Sequence, residues 1–265
     1  MSDFEQATAV IPAGAGKYRL RIDPDWFAGA GPNGGYLAGV ALRALIAHTA
    51  DRERHPLSLT CHFLSAAHAG ECDIDVTTER EGKGITALSA RMHQDGETVM
   101  LALATLGVER EGMIDFETPA PSVPRPEDLS PPAIQPWSPP IFHRLDYRPC
   151  IGEPMLSGSS EALIGGWTAL KERTPLDEPA LAMFADAWPP ASWVRLTRPA
   201  VAPTIDMTFH FRSRIAPGTE WALVRMDSTT SRHGFVEENG EIWSPEGTLL
   251  AQSRQLALLR QEVYE

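Results

Sequence analysis

The chain has 265 residues, 43% hydrophobic and 22% charged, which is ordinary globular composition for one large domain or two small ones packed together. Its formal net charge of −12 disfavours non-specific binding to nucleic acid or anionic lipid. No run approaches ~20 uninterrupted apolar residues, so no membrane span is expected, and the opening MSDFEQATAV lacks the basic patch and apolar stretch of a secretory signal, so the expected setting is the cytoplasm.

In chain order, Lys17 to Asp23 alternates as a strand does. Gly29 to Gly35 is rich in turn formers and leads into Tyr36 to Arg52. There Leu37, Val40, Ala41, Ala44, Leu45 and His48 recur at helical spacing, which predicts a helix with a wide apolar face, surrounded by protein on most sides. Four strands are predicted next: Leu57 to Ala67, Glu71 to Arg80, Ile85 to Gln94 and Thr98 to Val108, joined by the glycine-bearing turns AHAG, EGKG and DG. One long helix, four antiparallel strands after it and one strand before it make an α+β unit, a sheet wrapped around a helix.

Glu111 to Pro140 carries many of the 23 prolines and is predicted to be a linker extended over the surface, because proline supports neither helix interior nor central strand. The second half repeats the order of elements. Ile141 to Cys150 and Glu161 to Glu172 read as strands and Pro175 to Ala187 as a short helix, with acidic residues in its first turn. Four strands follow at Thr204 to Ser213, Glu220 to Ser231, Gly234 to Pro245 and Gly247 to Arg260. The expected division is an N-terminal unit over 1–110, a proline-rich linker over 111–140 and a C-terminal unit over 141–265, each unit ending in a helix and a four-strand meander.

The sequence resembles the acyl-CoA thioesterase II family of double-hotdog proteins. In the first half the resemblance lies in GGYLAGVALRALIA at Gly34 to Ala47, and in the order of residues from His62 to Gly107. In the second it lies in Thr204-Ile205-Asp206, Phe209-His210-Phe211-Arg212, Glu220-Trp221, Asp227-Ser228-Thr229, Arg232-His233-Gly234-Phe235 and Leu250 to Gln255. It covers most of the chain outside the linker and the ends, and its order over both halves carries more than any single motif.

The resemblance implies a double hotdog fold, hydrolysis of acyl-CoA to free acid and CoA, and a site made of an aspartate, a threonine and a glutamine. By position these correspond to Asp206, Thr229 and Gln255. The aspartate is followed by Met207-Thr208 where the family has a more polar pair, and the segment after Thr229 is shorter, so Ser228 and Thr230 are neighbouring candidates for the threonine. The chemistry is consistent with a water activated by a desolvated carboxylate. Strict alternation puts Asp206 on one strand face with Thr204, Thr208 and His210; taken alone, that face reads as solvated. Thr229 and Gln255 taken alone likewise read as strand residues, chosen for fit and for exposure. Gly34 and Gly35 open the long helix and permit close approach of the backbone to a ligand, or equally tight packing or a cap.

Eight histidines without HExxH predict no metal, and no cofactor is expected. The odd, widely spaced Cys61, Cys72 and Cys150 predict neither a disulfide framework nor a thiolate zinc site. The absence of GxSxG counts against the α/β-hydrolase route. Trp188 and Trp193 read as packing before they read as an acyl tunnel. Two other activities fit the same expected fold: a hydratase or dehydratase pairing Asp206 with His210, and a non-catalytic acyl-CoA-binding protein. The expected partners are the acyl-CoA substrate and a second copy of the chain as a homodimer.

Overall fold

The computed structural model describes residues 1–136 and 138–261; Trp137 of the proline-rich segment and residues 262–265 of the expected C-terminal unit lie outside the described residues. The N-terminal half comprises α1 (Asp3–Ala7), β1 (Ile11–Gly14), β2 (Lys17–Ile22), α2 (Gly34–Thr49), β3 (His55–Phe63), β4 (Gly70–Glu81), β5 (Ile85–Gln94) and β6 (Glu97–Gly107). The C-terminal half comprises β7 (Leu145–Gly152), β8 (Ala162–Leu170), α3 (Glu178–Phe184), β9 (Ala200–Val201), β10 (Thr204–Phe211), β11 (Trp221–Ser228), β12 (Ser231–Arg232), β13 (Phe235–Trp243), β14 (Leu249–Leu258) and β15 (Arg260–Gln261). No helix is long and apolar enough to cross a membrane among the described residues.

One antiparallel sheet runs through both halves in the order β1-β2-β4-β5-β6-β3-β10-β14-β13-β11-β8-β7, with β12 paired to β13 at its side. This corrects the expected four-strand meander. In each half only the last three strands run as a meander; the first strand after the helix pairs with the last of them, β3 with β6 and β10 with β14. That return leaves β3 and β10 free on their other sides, and they pair with each other from Asp206↔His62 to His210↔Ser58. Two half-sheets thereby share one ladder.

The strands bury alternate residues, as in β2, where Tyr18, Leu20 and Ile22 face inward. The inner face wraps the two helices. Asn33 caps α2 by accepting from the Tyr36 amide (2.9 Å), and every residue from Gly35 to Leu45 except Arg43 is buried. The helix ends at Thr49, before the expected Arg52, because Ala50 turns left-handed (φ 53°). Asp177 caps α3 through the Ala180 amide at 3.0 Å. The helices lie antiparallel in contact: a Cβ on Gly35 would stand 2.8 Å from the Ala182 and Met183 carbonyls, and one on Gly39 would stand 2.8 Å from the Pro179 carbonyl.

The proline-rich segment forms a strap over the outer face of the second half. The Trp167 indole donates to the Pro124 carbonyl (2.9 Å), the Trp243 indole to the Thr118 carbonyl (3.2 Å), and the Leu249 amide to Glu117 (3.1 Å). Val123 and Leu129 pack against the cluster of Trp167, Leu223, Trp243 and Leu249. The expected strand from Ile141 starts later, at Leu145, behind a 3₁₀ turn over Pro140–His143.

Candidate active site

Strand alternation brings three polar residues, Glu238, Ser253 and Gln255, to an inner face that is otherwise without polar side chains on these two strands. On β13 the inward residues are Val236, Glu238, Gly240 and Ile242; on β14 they are Ala251, Ser253, Gln255 and Ala257. Glu238 and Gln255 are direct cross-strand partners and only 5% and 7% exposed. The Gln255 amide nitrogen donates to Glu238 Oε1 at 2.7 Å, and the Ala191 amide donates to Glu238 Oε2. The Thr204 hydroxyl donates to Gln255 Oε1 at 2.8 Å.

Above this row lie the N-terminus of α2 and the C-terminal end of α3. Asp186 stands two residues past α3, its amide bonded to the Met183 carbonyl at 3.1 Å. The Asn33 side chain donates to the Asp186 carbonyl (2.7 Å) and to its Oδ2 (3.0 Å), and the Gly35 amide donates to the same Oδ2 at 2.9 Å. The Gly34 amide and the Gln255 side chain lie near enough to lower the pKa of this carboxyl. A Cβ on Gly34 would stand 3.0 Å from Asp186 Oδ2, and one on Gly35 would stand 2.8 Å from the Ala182 and Met183 carbonyls and 2.9 Å from the Asp186 Cβ, so position 35 requires glycine. Both glycines thus come to the site, with the Gly35 amide committed to Asp186.

Burial pushes the Asp186 carboxyl up to about 6, outweighing the opposing pull of the Gly35, Gly34, Gln255 and Asn33 donors. The positive end of α2 acts in the same direction as those donors. The residue nevertheless keeps partial exposure. Its carboxyl itself is enclosed by protein. Burial also pushes Glu238 up to about 8, and the nearby Asp186 and Asp227 charges add to that, against the Ala191 and Gln255 donors. The segment after Asp186 is held from behind: Tyr147 donates to the Ala187 carbonyl (2.7 Å) and the buried Trp188 indole to the Thr168 hydroxyl (2.9 Å).

Of the expected triad, the structure brings only Gln255 to this place. Gln255 pairs with the buried Met207, so their side chains share the inner face, whereas Asp206 pairs with Leu256 and His62 and points outward. Asp206 faces out by alternation with the buried Met207, Phe209 and Phe211. An irregularity lies between Thr204 and Asp206, where Thr204 pairs with Ala257 and Asp206 with Leu256, and the extra residue turns Thr204 inward to Gln255. Thr229 is exposed, its amide and hydroxyl donating to Glu237 at 2.8 and 2.6 Å on the outer face. His210, the expected partner of Asp206 in a hydratase, is exposed on that outer side too.

Asn33, Asp186, Thr204 and Glu238 carry signals of their own in the sequence. Asp186 is an acid at the C-terminal end of a predicted apolar helix, where the dipole disfavours it. Glu238 is an acid at the inward parity of Val236, Gly240 and Ile242.

The opposite end of the helix pair is built differently. Asp51 stands two residues past α2 as Asp186 does past α3, but it is ion-paired to Arg54 at 3.0 Å. It lines an open cleft of about 540 Å³ with Arg52, His55, Glu178 and Arg214. A second cleft, of about 250 Å³, lies between Leu196 and Gln261. Neither is lined by Asp186. Among the described residues no group of three or more His, Cys, Asp or Glu is placed to hold a metal ion.

A comparison with curated proteins returned no match. Among solved structures, the chain is similar to a conserved protein of unknown function with hot dog fold from Alicyclobacillus acidocaldarius, at 27% identity over 99% of this chain and 100% of that one, with a TM-score of 0.90. It is similar in fold to the tesB protein of Mycobacterium avium subs paratuberculosis (19% identity, 97% and 98% covered, TM-score 0.82). The acyl-CoA thioesterase II TesB2 of Mycobacterium marinum is a further likeness in fold (21% identity, 98% of each chain, TM-score 0.77). Two family models match in succession, the acyl-CoA thioesterase N-terminal domain over residues 22–107 and the acyl-CoA thioesterase C-terminal domain over residues 121–259. With a hotdog fold and both of these domains in order, the chain belongs to the acyl-CoA thioesterase family.

Proposed function

We propose that this chain, read as two fused hotdog units, hydrolyses acyl-CoA thioesters with Asp186 as general base, and with Thr204 and Gln255 positioning the water and the carbonyl. The observation that carries this reading is the state of Asp186: a desolvated carboxyl, and so a stronger base than an ordinary carboxylate, on a residue that keeps partial exposure. Its Oδ2 is occupied by Asn33 and Gly35, which leaves Oδ1 to take a proton. Water adds to the thioester carbonyl carbon while Asp186 removes its proton. The tetrahedral oxyanion then collapses, the C–S bond breaks, and the thiolate departs to be protonated. No covalent link to the protein is formed. The side chains bonded to Asp186 and Gln255 include no histidine, which favours hydrolysis over the acid–histidine pairing of a hydratase.

The test is turnover of an acyl-CoA panel followed by thiol release. Asp186→Asn keeps the shape and hydrogen-bonding span of the side chain and removes the base, so kcat is expected to fall by roughly 100-fold or more, on the scale of a lost general base. Asp206→Asn, on the outer face, is expected to keep wild-type kcat. Wild-type turnover by Asp186→Asn would remove this reading.

A further inference from the structure

Glu238 lies on β13 directly across from Gln255 on β14, and the family resemblance gives it no role. Its two carboxylate oxygens meet only donors in the bonds described: the Gln255 amide nitrogen at 2.7 Å and the Ala191 backbone amide. The Ala191 N–H can do nothing but donate, so Glu238 Oε2 accepts, and above about pH 8 the ionised Glu238 accepts at Oε1 as well. The Thr204 hydroxyl donates to the other end of the Gln255 amide at 2.8 Å. The Gln255 nitrogen is thus drawn towards Glu238, and its oxygen is turned to Thr204.

We propose that Glu238 is a positioning residue that fixes the orientation of the Gln255 amide, and through it the hydrogen bond between Gln255 and Thr204. This rests on the reading of Asp186, Thr204 and Gln255 as the hydrolytic site. The alternative orientation would set the Gln255 oxygen against the ionised Glu238, two acceptors facing each other in a place with little access to water. A neutral isostere at 238 reverses the preference. In Glu238→Gln the new carbonyl takes the Ala191 N–H, the new NH₂ faces strand β14, and Gln255 answers by turning its oxygen towards it. The Gln255 nitrogen is then aimed at Thr204.

The experiment measures kcat and KM at pH 9, where Glu238 is ionised, for wild type, Glu238→Gln, Glu238→Asp, Gln255→Ala and the double variant Glu238→Gln/Gln255→Ala. Side-chain amide NOEs of Gln255 are recorded in the two full-length proteins that keep it with position 238 as Glu or Gln. Glu238→Gln is expected to lower kcat about tenfold or more with KM within about twofold. Glu238→Asp, which still only accepts, recovers part of the loss. In the Gln255→Ala background Glu238→Gln costs nothing further, because the residue acts through Gln255. The Gln255 NH₂ shows NOEs to the Ala191 side in wild type and to Thr204 in Glu238→Gln. Additive losses in the double variant, or an unchanged set of amide NOEs in Glu238→Gln, overturn the proposal. If Gln255→Ala and Asp186→Asn both turn over like wild type, the underlying site falls and the proposal falls with it. If they are inactive while Glu238→Gln is unaffected, only the role of Glu238 falls.

Discussion

Two carboxyls held above their usual range make the chain's stability depend on pH in a direction that can be worked out. In an unfolded chain a glutamate titrates near ~4.3 and an aspartate near ~3.9. Burial raises Glu238 to about 8 and Asp186 to about 6 in the folded protein. The native state therefore binds more protons than the unfolded state between about pH 4 and about pH 8, and stability falls as pH rises through that window. Their contribution is fully present below about pH 4 and gone above about pH 8. Thermal melts from pH 5 to 9 are expected to show Tm falling with pH in the wild type, and a flatter profile in Glu238→Gln, which cannot ionise. Parallel profiles would show that Glu238 ionises normally. Catalysis runs the opposite way in the lower part of this window. The base works only as a carboxylate, so kcat/KM is expected to rise through about pH 6, and a profile flat from pH 5 to 8 would sink Asp186 as base.

At the scale of the element, the helix pair is what makes the site possible, and its two contact glycines separate structure from chemistry. An added methyl at Gly35 or at Gly39 would meet backbone carbonyl oxygens at 2.8 Å, so the helices must part, at a cost of about 1–3 kcal/mol. Urea denaturation is expected to show both Gly35→Ala and Gly39→Ala destabilised. Only Gly35→Ala is expected to lose turnover as well, because the Gly35 amide donates to Asp186; equal loss of kcat in the two variants would refute this.

Elements of this kind were legible in the sequence. Helical spacing located α2, period-two alternation located the long strands, and the proline run located the segment that became the strap. Of the proposed site, Gln255 alone was singled out in the sequence, an inward residue on a regular strand. Alternation placed Asp206, Thr208 and His210 opposite Met207, Phe209 and Phe211, as found; it missed Thr204, because one extra residue near Ile205 inverts the phase there and no local propensity announces such an irregularity. Thr229 lies away from Gln255 because β11 ends at Ser228 and hands the next residue to the outer face. Asp186 was within the predicted second helix, but its depth depends on Asn33 and Gly35, more than 150 residues earlier.

At the scale of the whole molecule, the covalent connection between the halves does less than the ladder between them. The halves share five β3–β10 residue pairs, the hydrogen-bonded Thr60 and Thr208 hydroxyls (3.1 Å) and the packed α2 and α3. Along the strap, Met113, Ile114 and Phe116 stand out into solvent, while Trp167 and Trp243 hold the part from Thr118 onward. Chymotrypsin is therefore expected to cut after Phe116 first. The nicked protein is expected to elute with the mass of the intact chain and to keep its turnover, parting only in denaturant. Separation of the fragments on gel filtration under native conditions would contradict this.

The shared ladder has a further consequence for how a ligand gets in. A ladder running unbroken across the middle of the molecule forbids the two halves from swinging open like jaws, because each ladder bond would have to be given up before any gap appeared. Admission to Asp186 is left to the short stretches that border it, the turn before α2 and the run between α3 and β10. On the proposed reading, a ligand moves those two stretches aside and leaves the ladder between the halves as it is.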